Sequence, residues 1–190
     1  MCYLAGMSAT TETTSGSADP RFPIGQFVRS KAVTPDDRRE AIAVLAELPA
    51  LLRNAVDGLD QGQLRTPYRE GGWTVQQLVH HIADSHMNCF VRVRLALTED
   101  FPTIVAYDEK AWAKLRDSEA APVEWSLELV EGLHARWVLL LQSLTEDEWQ
   151  RGYRHPENGP MTVETTALLY AWHSRHHVAH ITHLRSREGW

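Results

Sequence analysis

Apolar residues recur in steps of three and four along four separate stretches of this chain, which is the spacing of helices that bury one face. In the first stretch these steps join apolar residues from Ile42 to Leu59. Thr34 precedes the stretch as an N-cap, followed by Pro35 at the first helical position and by two acids at the positive end of the helix. The sequence therefore predicts a first helix, with a kink at Pro49.

A second helix is predicted from about residue 75 to residue 97. Thr74 provides its N-cap, and Gln77 three residues later completes a capping box. The connection that follows, residues 98–122, contains two prolines and a short helix predicted around residues 107–115. A connection of this length excludes a tight hairpin between the second and third helices.

The sequence marks the ends of the fourth helix more clearly than those of the third. The third is predicted to open at Ser126, and residues 145–147 either end it or start a new helix. Thr162 caps the fourth, which is predicted to reach Arg187 before Gly189 stops it. Almost no stretch alternates with the period of two that strands need. The predicted fold class is therefore all-α, a four-helix bundle with a long crossover between helices 2 and 3.

One domain is predicted over residues 20–190, because a chain of 190 residues buries a core large enough to fold without disulfides. Residues 1–19 lack a basic leading segment and turn to Ser, Thr and Gly after a short apolar patch, so they are predicted to be a disordered tail. No apolar run approaches the length of about 18 residues that would span a bilayer. We expect a cytoplasmic protein with no membrane partner.

Charge and cysteine content narrow the class of protein further. The chain has 19 Lys and Arg against 25 Asp and Glu, a net charge of -6, which leaves no basic surface for nucleic acid. Its two cysteines, Cys2 and Cys89, form neither a disulfide framework nor a metal motif. A reducing compartment and a small-molecule substrate are therefore expected, and nucleic acid is not.

Eight of the ten histidines fall within the second and fourth predicted helices. Neutral imidazole offers a nitrogen lone pair at ordinary pH, which makes histidine the commonest ligand of zinc and related ions. An isolated helical histidine is usually a surface or hydrogen-bonded residue, but this density favours a metal site over plain structure. An accidental cluster is the alternative. The eight are His80, His81, His86, His173, His176, His177, His180 and His183.

Two pairs on the fourth helix have a spacing of four, which brings two imidazoles to one ion because such residues are offset by only about 40°. The pairs are His173 with His177 and His176 with His180, and spacing alone does not choose between them. An enzymatic zinc-type site typically has three protein ligands and a water. We therefore expect the second helix to supply the third ligand.

Three segments carry a family resemblance: GGWTVQQLVHHIADSHMN, LALTEDFPTIVAYDEKAW and YAWHSRHHVAHITHLRSREGW. Together they resemble the DinB/YfiT-like superfamily, and within it the YfiT-like branch of metal-dependent hydrolases related to bacillithiol S-transferases. The resemblance extends from Arg21 to Trp190. It implies a four-helix bundle with the long crossover expected above.

The resemblance also implies a set of metal ligands. In that family a histidine midway along the second helix, followed by an aliphatic residue and alanine, joins two histidines four apart on the fourth helix to hold a divalent metal. The matching residues in this chain are His81, His173 and His177.

Six neighbouring residues have roles that the sequence leaves open. Two adjoin the ligands but point about 100° away, and two more are expected to cover the surface of the fourth helix rather than line the cavity. The last two lie near the face of the ligand on the second helix, where they are candidates to orient imidazoles or substrate. In that order they are His80 and His176, His180 and His183, and Asp84 and Asn88.

Three neutral ligands leave a metal its full positive charge and at least one open position, which suits activating a bound water or thiol. The expected function is therefore that of a metal-dependent enzyme. The resemblance implies either hydrolysis or transfer of a low-molecular-weight thiol such as bacillithiol, because coordination deprotonates a thiol. Zinc and nickel are the expected metals, and other divalent ions also fit. The alternative is a non-enzymatic metal-binding or stress-response bundle that acts through association, as a homodimer.

Overall fold

The computed structural model describes residues 19–190, which form four long helices, four short helices and a two-stranded hairpin. The long helices confirm the predicted bundle. The disordered tail predicted for residues 1–19 lies outside the described residues, apart from Asp19. In chain order the elements are α1 (Pro35–Val56), α2 (Gln61–Leu64), α3 (Val75–Thr98), α4 (Glu109–Trp112), α5 (Arg116–Ala120), α6 (Val123–Gln142), α7 (Glu146–Gln150), β1 (Gly152–His155), β2 (Gly159–Thr162) and α8 (Val163–Glu188).

Each of the long helices α1, α3, α6 and α8 packs against two others. Helix α1 contacts α8 and α6, and α3 contacts α6 and α8. The predicted long crossover joins α3 to α6 and contains two short helices, α4 and α5, where the sequence predicts one. The contact between α3 and α8 sets the two histidine-rich helices side by side. Among the described residues, no helix has the length and apolar character needed to cross a bilayer.

Threonine caps start three of the long helices where the sequence predicts them. The hydroxyls of Thr34, Thr74 and Thr162 each accept a hydrogen bond from the backbone N–H three residues on. Gly189, with φ of 74°, ends α8 in the left-handed conformation that glycine adopts without strain. Helix α1 continues through Pro49 to its end at residue 56.

The start of the third long helix differs from the prediction. Helix α6 begins at Val123, with Pro122 in the N-cap position, rather than at Ser126. The Ser126 hydroxyl lies 2.7 Å from Nδ1 of His80 on α3, so it serves a contact between helices instead of a cap. Thr145, for which two outcomes were open, is the N-cap of the new helix α7.

The hairpin of β1 and β2 is not predicted by the sequence. The strands pair from Gly152 opposite Thr162 to His155 opposite Gly159. Each strand has only four residues, and neither alternates strictly between apolar and polar residues, so neither shows the pattern that predicts a strand. A Cβ at position 152 would clash with the carbonyl oxygen of Met161, so the close approach of the strands requires glycine there. The hairpin leads directly into α8.

Buried histidines separate two apolar clusters in the bundle. One cluster contains Trp137 and the other contains Ile82. Between the clusters lie His86 on α3, His134 on α6 and His173 on α8, all of them buried. A buried polar group costs free energy unless it is hydrogen-bonded, so the partners of these rings carry information about the site.

Candidate metal centre

The structure brings ring nitrogens of three histidines from two helices to one place. Nitrogens of His81 on α3 and of His173 and His177 on α8 all lie within 4.8 Å of one another. The Nε2 atoms of His173 and His177 are 3.1 Å apart. All three histidines are buried at this group, although His81 as a whole residue keeps some exposure to solvent. The three residues implied by the family resemblance therefore converge, and their binding of a metal stays a prediction.

Packing distinguishes the two histidine pairs that spacing leaves equivalent. The pair His173 and His177 faces His81 across the contact between α3 and α8. The pair His176 and His180 is turned about 60° around the helix axis from the first pair, because each member follows its counterpart by three residues. That second pair meets the segment preceding α1, where Nε2 of His180 lies 3.4 Å from the carbonyl oxygen of Arg21.

A second group of histidines shares one member with the first. Nitrogens of His176, His177 and His180 also lie within 4.8 Å of one another, and Nδ1 of His177 is 3.3 Å from Nδ1 of His180. A neutral imidazole has only one lone pair, so the two groups compete for His177. His180 is buried, which corrects the expectation that it covers the surface, because the ring of Tyr68 lies over it at 4.1 Å. His183 is exposed, as expected.

A chain of buried contacts continues from His173 into the core. Its Nδ1 lies 3.1 Å from Nε2 of His86, whose Nδ1 lies 2.9 Å from Nε2 of His134. Nδ1 of His134 lies 2.6 Å from the carbonyl oxygen of Leu45 on α1. The four long helices thus contribute one group each. Histidine density on the second and fourth helices does not point to His134, although a single histidine among the inward-facing apolar residues of the third helix is a signal that could have found it.

Burial keeps the candidate ligands neutral. It is the largest cause that lowers the pKa of His81, to about 3, and the pKa of His173 and His177, well below the ordinary value. Neighbouring imidazoles lower these pKa values further, because a second positive charge would be repelled. At neutral pH each ring therefore has a lone pair to offer.

The donor set fits a divalent ion. Zinc–nitrogen distances of about 2.0–2.1 Å in a tetrahedral site place two ligand nitrogens about 3.3 Å apart. The separation of 3.1 Å between Nε2 of His173 and Nε2 of His177 is close to this value. Because the Nδ1 atoms of both rings contact other groups, the two Nε2 atoms are the ones that point at each other. A shared cation suits these two nitrogens when neither of them has a hydrogen, whereas a hydrogen on one of them makes the same separation a hydrogen bond.

Two further polar side chains lie on the face of α3 that carries His81, and one aromatic ring contacts His81 directly. Asp84 is one helical turn away and partly buried, and burial, with a smaller contribution from Asp117, raises the pKa of its carboxyl to about 6. The Asn88 side-chain amide donates to the backbone carbonyl of Asp84. The ring of Trp73 lies 4.6 Å from that of His81 and forms a wall of the site.

The histidines adjoining the ligands are buried rather than superficial. Nδ1 of His80 lies 2.7 Å from the Ser126 hydroxyl, and its Nε2 lies 3.1 Å from the carbonyl oxygen of Ala121. His80 therefore ties α3 to the start of α6. His176 stacks on Trp172 at 4.4 Å, and its buried Nδ1 has no hydrogen-bond partner among the described residues.

Fold and site together define a class of protein, the four-helix bundles with a buried cluster of histidines that could hold a metal ion. Residues 44–181 match the DinB superfamily, which is most of the chain. The chain belongs to the DinB superfamily.

Close relatives are known in bacilli. The Bacillus subtilis (strain 168) protein named "Putative metal-dependent hydrolase YfiT" is 47% identical over 175 residues, which cover 92% of this chain and 98% of the relative. A "Putative metal-dependent hydrolase" of Bacillus cereus (strain 03BB102) is 50% identical over 172 residues, which cover 90% of this chain and 99% of the relative.

Solved structures agree with the fold. The structure of YfiT from Bacillus subtilis, described as "a probable metal-dependent hydrolase with an unusual four-helix bundle topology", matches with a TM-score of 0.88 and 48% identity. The match covers 90% of this chain and 98% of that one. A second four-helix bundle protein matches with a TM-score of 0.51 and 18% identity over 80% of this chain and 99% of that one, which shows a shared fold alone.

Proposed function

We propose that this protein is a divalent-metal-dependent enzyme in which His81, His173 and His177 hold the ion. The observation that carries the proposal is the 3.1 Å approach of the Nε2 atoms of His173 and His177, while their Nδ1 atoms contact other groups. The two bacillus relatives, both named as metal-dependent hydrolases, support the same class. Zinc and nickel are the metals proposed first, because both bind imidazole nitrogen well.

The residues around the site would have different roles in such an enzyme. A divalent ion held there would lower the pKa of a bound water or thiol and polarise a substrate at its open positions. His173 and His177 are buried on α8, so packing sets the orientation of their rings before a substrate arrives. Trp73, whose ring lies 4.6 Å from that of His81, would offer an apolar surface to a substrate that approaches from the side of α3.

Asp84 is the residue we propose as proton acceptor. It follows His81 by one turn, so both side chains lie on the same face of α3. Because burial raises the pKa of its carboxyl to about 6, Asp84 is a stronger base than an exposed aspartate and is still ionised at neutral pH. A proton released from water or thiol would be held on a carboxylate oxygen of Asp84.

Two reactions fit this arrangement and differ in the nucleophile. One is hydrolysis by water, and the other is transfer of a low-molecular-weight thiol of the bacillithiol type to an electrophile. Protein loaded with Zn²⁺ or Ni²⁺ should be assayed against esters and amides, and against alkyl halides with added thiol. We expect turnover in one panel that a chelator abolishes and the metal restores, and that His177→Ala lacks. Absence of metal-dependent turnover in both panels would overturn the enzymatic proposal.

Association is a second candidate function, and one surface favours it. Trp125, Leu129 and Leu139 on α6 are 66%, 45% and 69% exposed. Leu129 and Leu139 are each offset by about 40° from Trp125 around the helix axis, on opposite sides, so the three lie on one face of α6 and form an apolar stripe that the exposed Arg136 interrupts. We propose that a second copy of the chain covers this stripe. Such a homodimer is compatible with the metal site, which lies between α3 and α8.

A further inference from the structure

We propose that a chain of hydrogen bonds from the Leu45 carbonyl through His134 and His86 determines which nitrogen of His173 is free to bind metal. The inference rests on the metal site proposed above and adds two positioning residues to it. Neither His134 nor His86 belongs to the group of three nitrogens that would hold the ion. Both would act by keeping the ring hydrogen of His173 on Nδ1, the nitrogen that faces His86 and not the metal site.

The Leu45 carbonyl at one end of the chain of hydrogen bonds determines the position of every ring hydrogen in it. A carbonyl oxygen only accepts, so Nδ1 of His134 donates to Leu45 at 2.6 Å. A neutral imidazole has one N–H, so Nε2 of His134 accepts, and Nδ1 of His86, 2.9 Å away, donates to it. By the same step Nε2 of His86 accepts from Nδ1 of His173 at 3.1 Å. Nε2 of His173 is then left with its lone pair.

Burial supports the neutral state that this reasoning requires. It lowers the pKa of His134 to about 4 and the pKa of His86 and His173 well below the ordinary value. An extra hydrogen on any ring would either set two donors facing each other or place a hydrogen on Nε2 of His173. With all three rings neutral, the carbonyl at the end of the chain leaves one orientation in which every contact joins a donor to an acceptor.

A proline leaves the terminal carbonyl available. In an α-helix the carbonyl of Leu45 would accept from the backbone N–H of residue 49, four positions later. Residue 49 is Pro49, which has no N–H and lies inside α1. The ring of His134 supplies the missing donor from α6. A residue that ordinarily disfavours a helix interior thus creates the fixed point of the chain.

A shorter chain leads to the same result at the second ligand. Nε2 of His180 donates to the carbonyl of Arg21 at 3.4 Å, so its Nδ1 accepts from Nδ1 of His177 at 3.3 Å. This also leaves an unprotonated Nε2, now on His177. Both separations are long for hydrogen bonds, so the chain through His86 carries the proposal and its test.

The group that accepts the hydrogen bond from His173 is neutral, which is unusual for a ligating histidine. Ligating histidines often donate to a carboxylate, which makes the ligand more basic. Here the acceptor is the neutral ring of His86, so orientation is supplied without a negative charge near the ion. The metal would keep more of its positive charge for activating water or thiol.

The test reads the hydrogens directly in the metal-free protein. Two-bond ¹H–¹⁵N correlation spectra of ring-labelled histidine distinguish a hydrogen on Nδ1 from one on Nε2. We expect His134, His86 and His173 each to carry theirs on Nδ1 at neutral pH. A hydrogen on Nε2 of His173 would overturn the proposal.

Variants test whether His134 determines which nitrogen of His173 carries the hydrogen. His134→Phe removes the acceptor of His86 and should give His173 a mixture of both forms, with Zn²⁺ affinity lowered about 10- to 100-fold in competition with a chelator. His134→Gln keeps an acceptor for His86 and should restore most of the affinity. His80→Phe is the control, because His80 precedes His81 and is also buried, but its ring nitrogens contact Ser126 and the carbonyl of Ala121 instead of the candidate ligands.

Each outcome decides the proposal. If His134→Phe leaves the form of His173 and the Zn²⁺ affinity unchanged, or if His80→Phe lowers affinity as much, the chain does not position the ligand. Should His134→Phe fail to fold, the wild-type spectrum and His134→Gln still decide. If wild-type protein binds no Zn²⁺, the proposed function fails, while the metal-free spectrum separately decides the orientation of the rings.

Discussion

His177 and His183 lie on the same helix, yet their surroundings have nothing in common. His177 is buried among the rings of His81, His173 and His180, whereas His183 is exposed. An exposed imidazole stays hydrated, and it has no neighbouring ligand with which to bind an ion. Burial beside other histidines, rather than the residue type alone, therefore marks the candidate ligands.

Alanine substitutions should separate these two environments. His173→Ala and His177→Ala each remove one of only three ligands, so we expect Zn²⁺ affinity to fall more than about 100-fold, beyond the usual effect of groups behind the ligands. His183→Ala should leave metal content unchanged. Elemental analysis and chelator competition on purified variants measure both, and a metal-poor His183→Ala protein would contradict the assignment.

Asp84→Asn should keep the metal and lose turnover. A carboxyl pKa of about 6 means that wild-type activity should fall as the pH drops through 6, because the acceptor becomes protonated. The variant should lose about 100-fold or more in kcat and show no such acid limb. Asp117→Asn is the control: it removes a charge that raises this pKa, so its acid limb should move to lower pH with turnover preserved. Equal pH profiles in all three proteins would exclude Asp84.

The sequence predicts which residues could bind a metal better than it predicts the hydrogen bonds that join those residues to the core. The candidate ligands His81, His173 and His177 follow from histidine density and family resemblance, and the structure places them together. The role of His134 does not follow, because its partners are a ring on another helix and a carbonyl on a third. Such contacts depend on how helices pack, which no local pattern records.

Helix α3 carries one candidate ligand and begins at a well-formed cap. The Thr74 hydroxyl accepts from the backbone N–H of Gln77, whose side-chain amide oxygen accepts from the backbone N–H of Thr74. These two hydrogen bonds satisfy donors that a helix start leaves free. The cap therefore helps fix the end of the helix nearest to His81.

Thr74→Ala should lower the free energy of unfolding by about 1 kcal/mol, because it removes the acceptor of an N-cap hydrogen bond. Urea denaturation of the metal-free protein measures this change. Thr98→Ala is a control at the other end of the same helix, where the hydroxyl is exposed and donates to the carbonyl of Arg94. We expect a smaller effect there, and equal losses would show that the cap has no special role.

Most of the elements are predictable because their signals are local. Apolar spacing and threonine caps identify α1, α3 and α8, including the glycine that ends α8. The hairpin of β1 and β2 escapes prediction since its strands are only four residues long. The start of α6 is misplaced because Ser126, a good capping residue, bonds to His80 instead.

The folded molecule holds several histidines in their neutral form, which links its stability to pH. The pKa of His134 and of His176 is lowered to about 4, mainly by burial. Because these folded values lie below the unfolded value of 6.5, the unfolded chain binds more protons between them.

The metal-free protein should therefore lose stability as the pH falls from about 6.5 toward 4. The contribution of His134 alone is on the order of 3 kcal/mol once the fall is complete. Urea midpoints across this range measure the effect, and Zn²⁺ should raise the midpoint at neutral pH more than in acid, where protons compete for the ligands. A stability that is flat over this range would be inconsistent with buried neutral histidines.

The apolar stripe on α6 makes a prediction about assembly. If a second copy covers Trp125, Leu129 and Leu139, light scattering should report a dimer that Trp125→Glu converts to a monomer with the fold intact, because burying a charge in an apolar contact is costly. Lys114→Glu, an exposed position in the crossover and not on α6, is a charge control. A wild-type monomer at all accessible concentrations would exclude this interface.

The candidate ligands on α3 and α8 are more than ninety residues apart in the chain. During synthesis one imidazole emerges long before its two partners, so no early fragment can trap an ion as a zinc finger does. If the proposed site holds an ion, its complete set of ligands forms only when α3 and α8 come together. On that proposal, a cell starved of the ion would accumulate folded protein with an empty site.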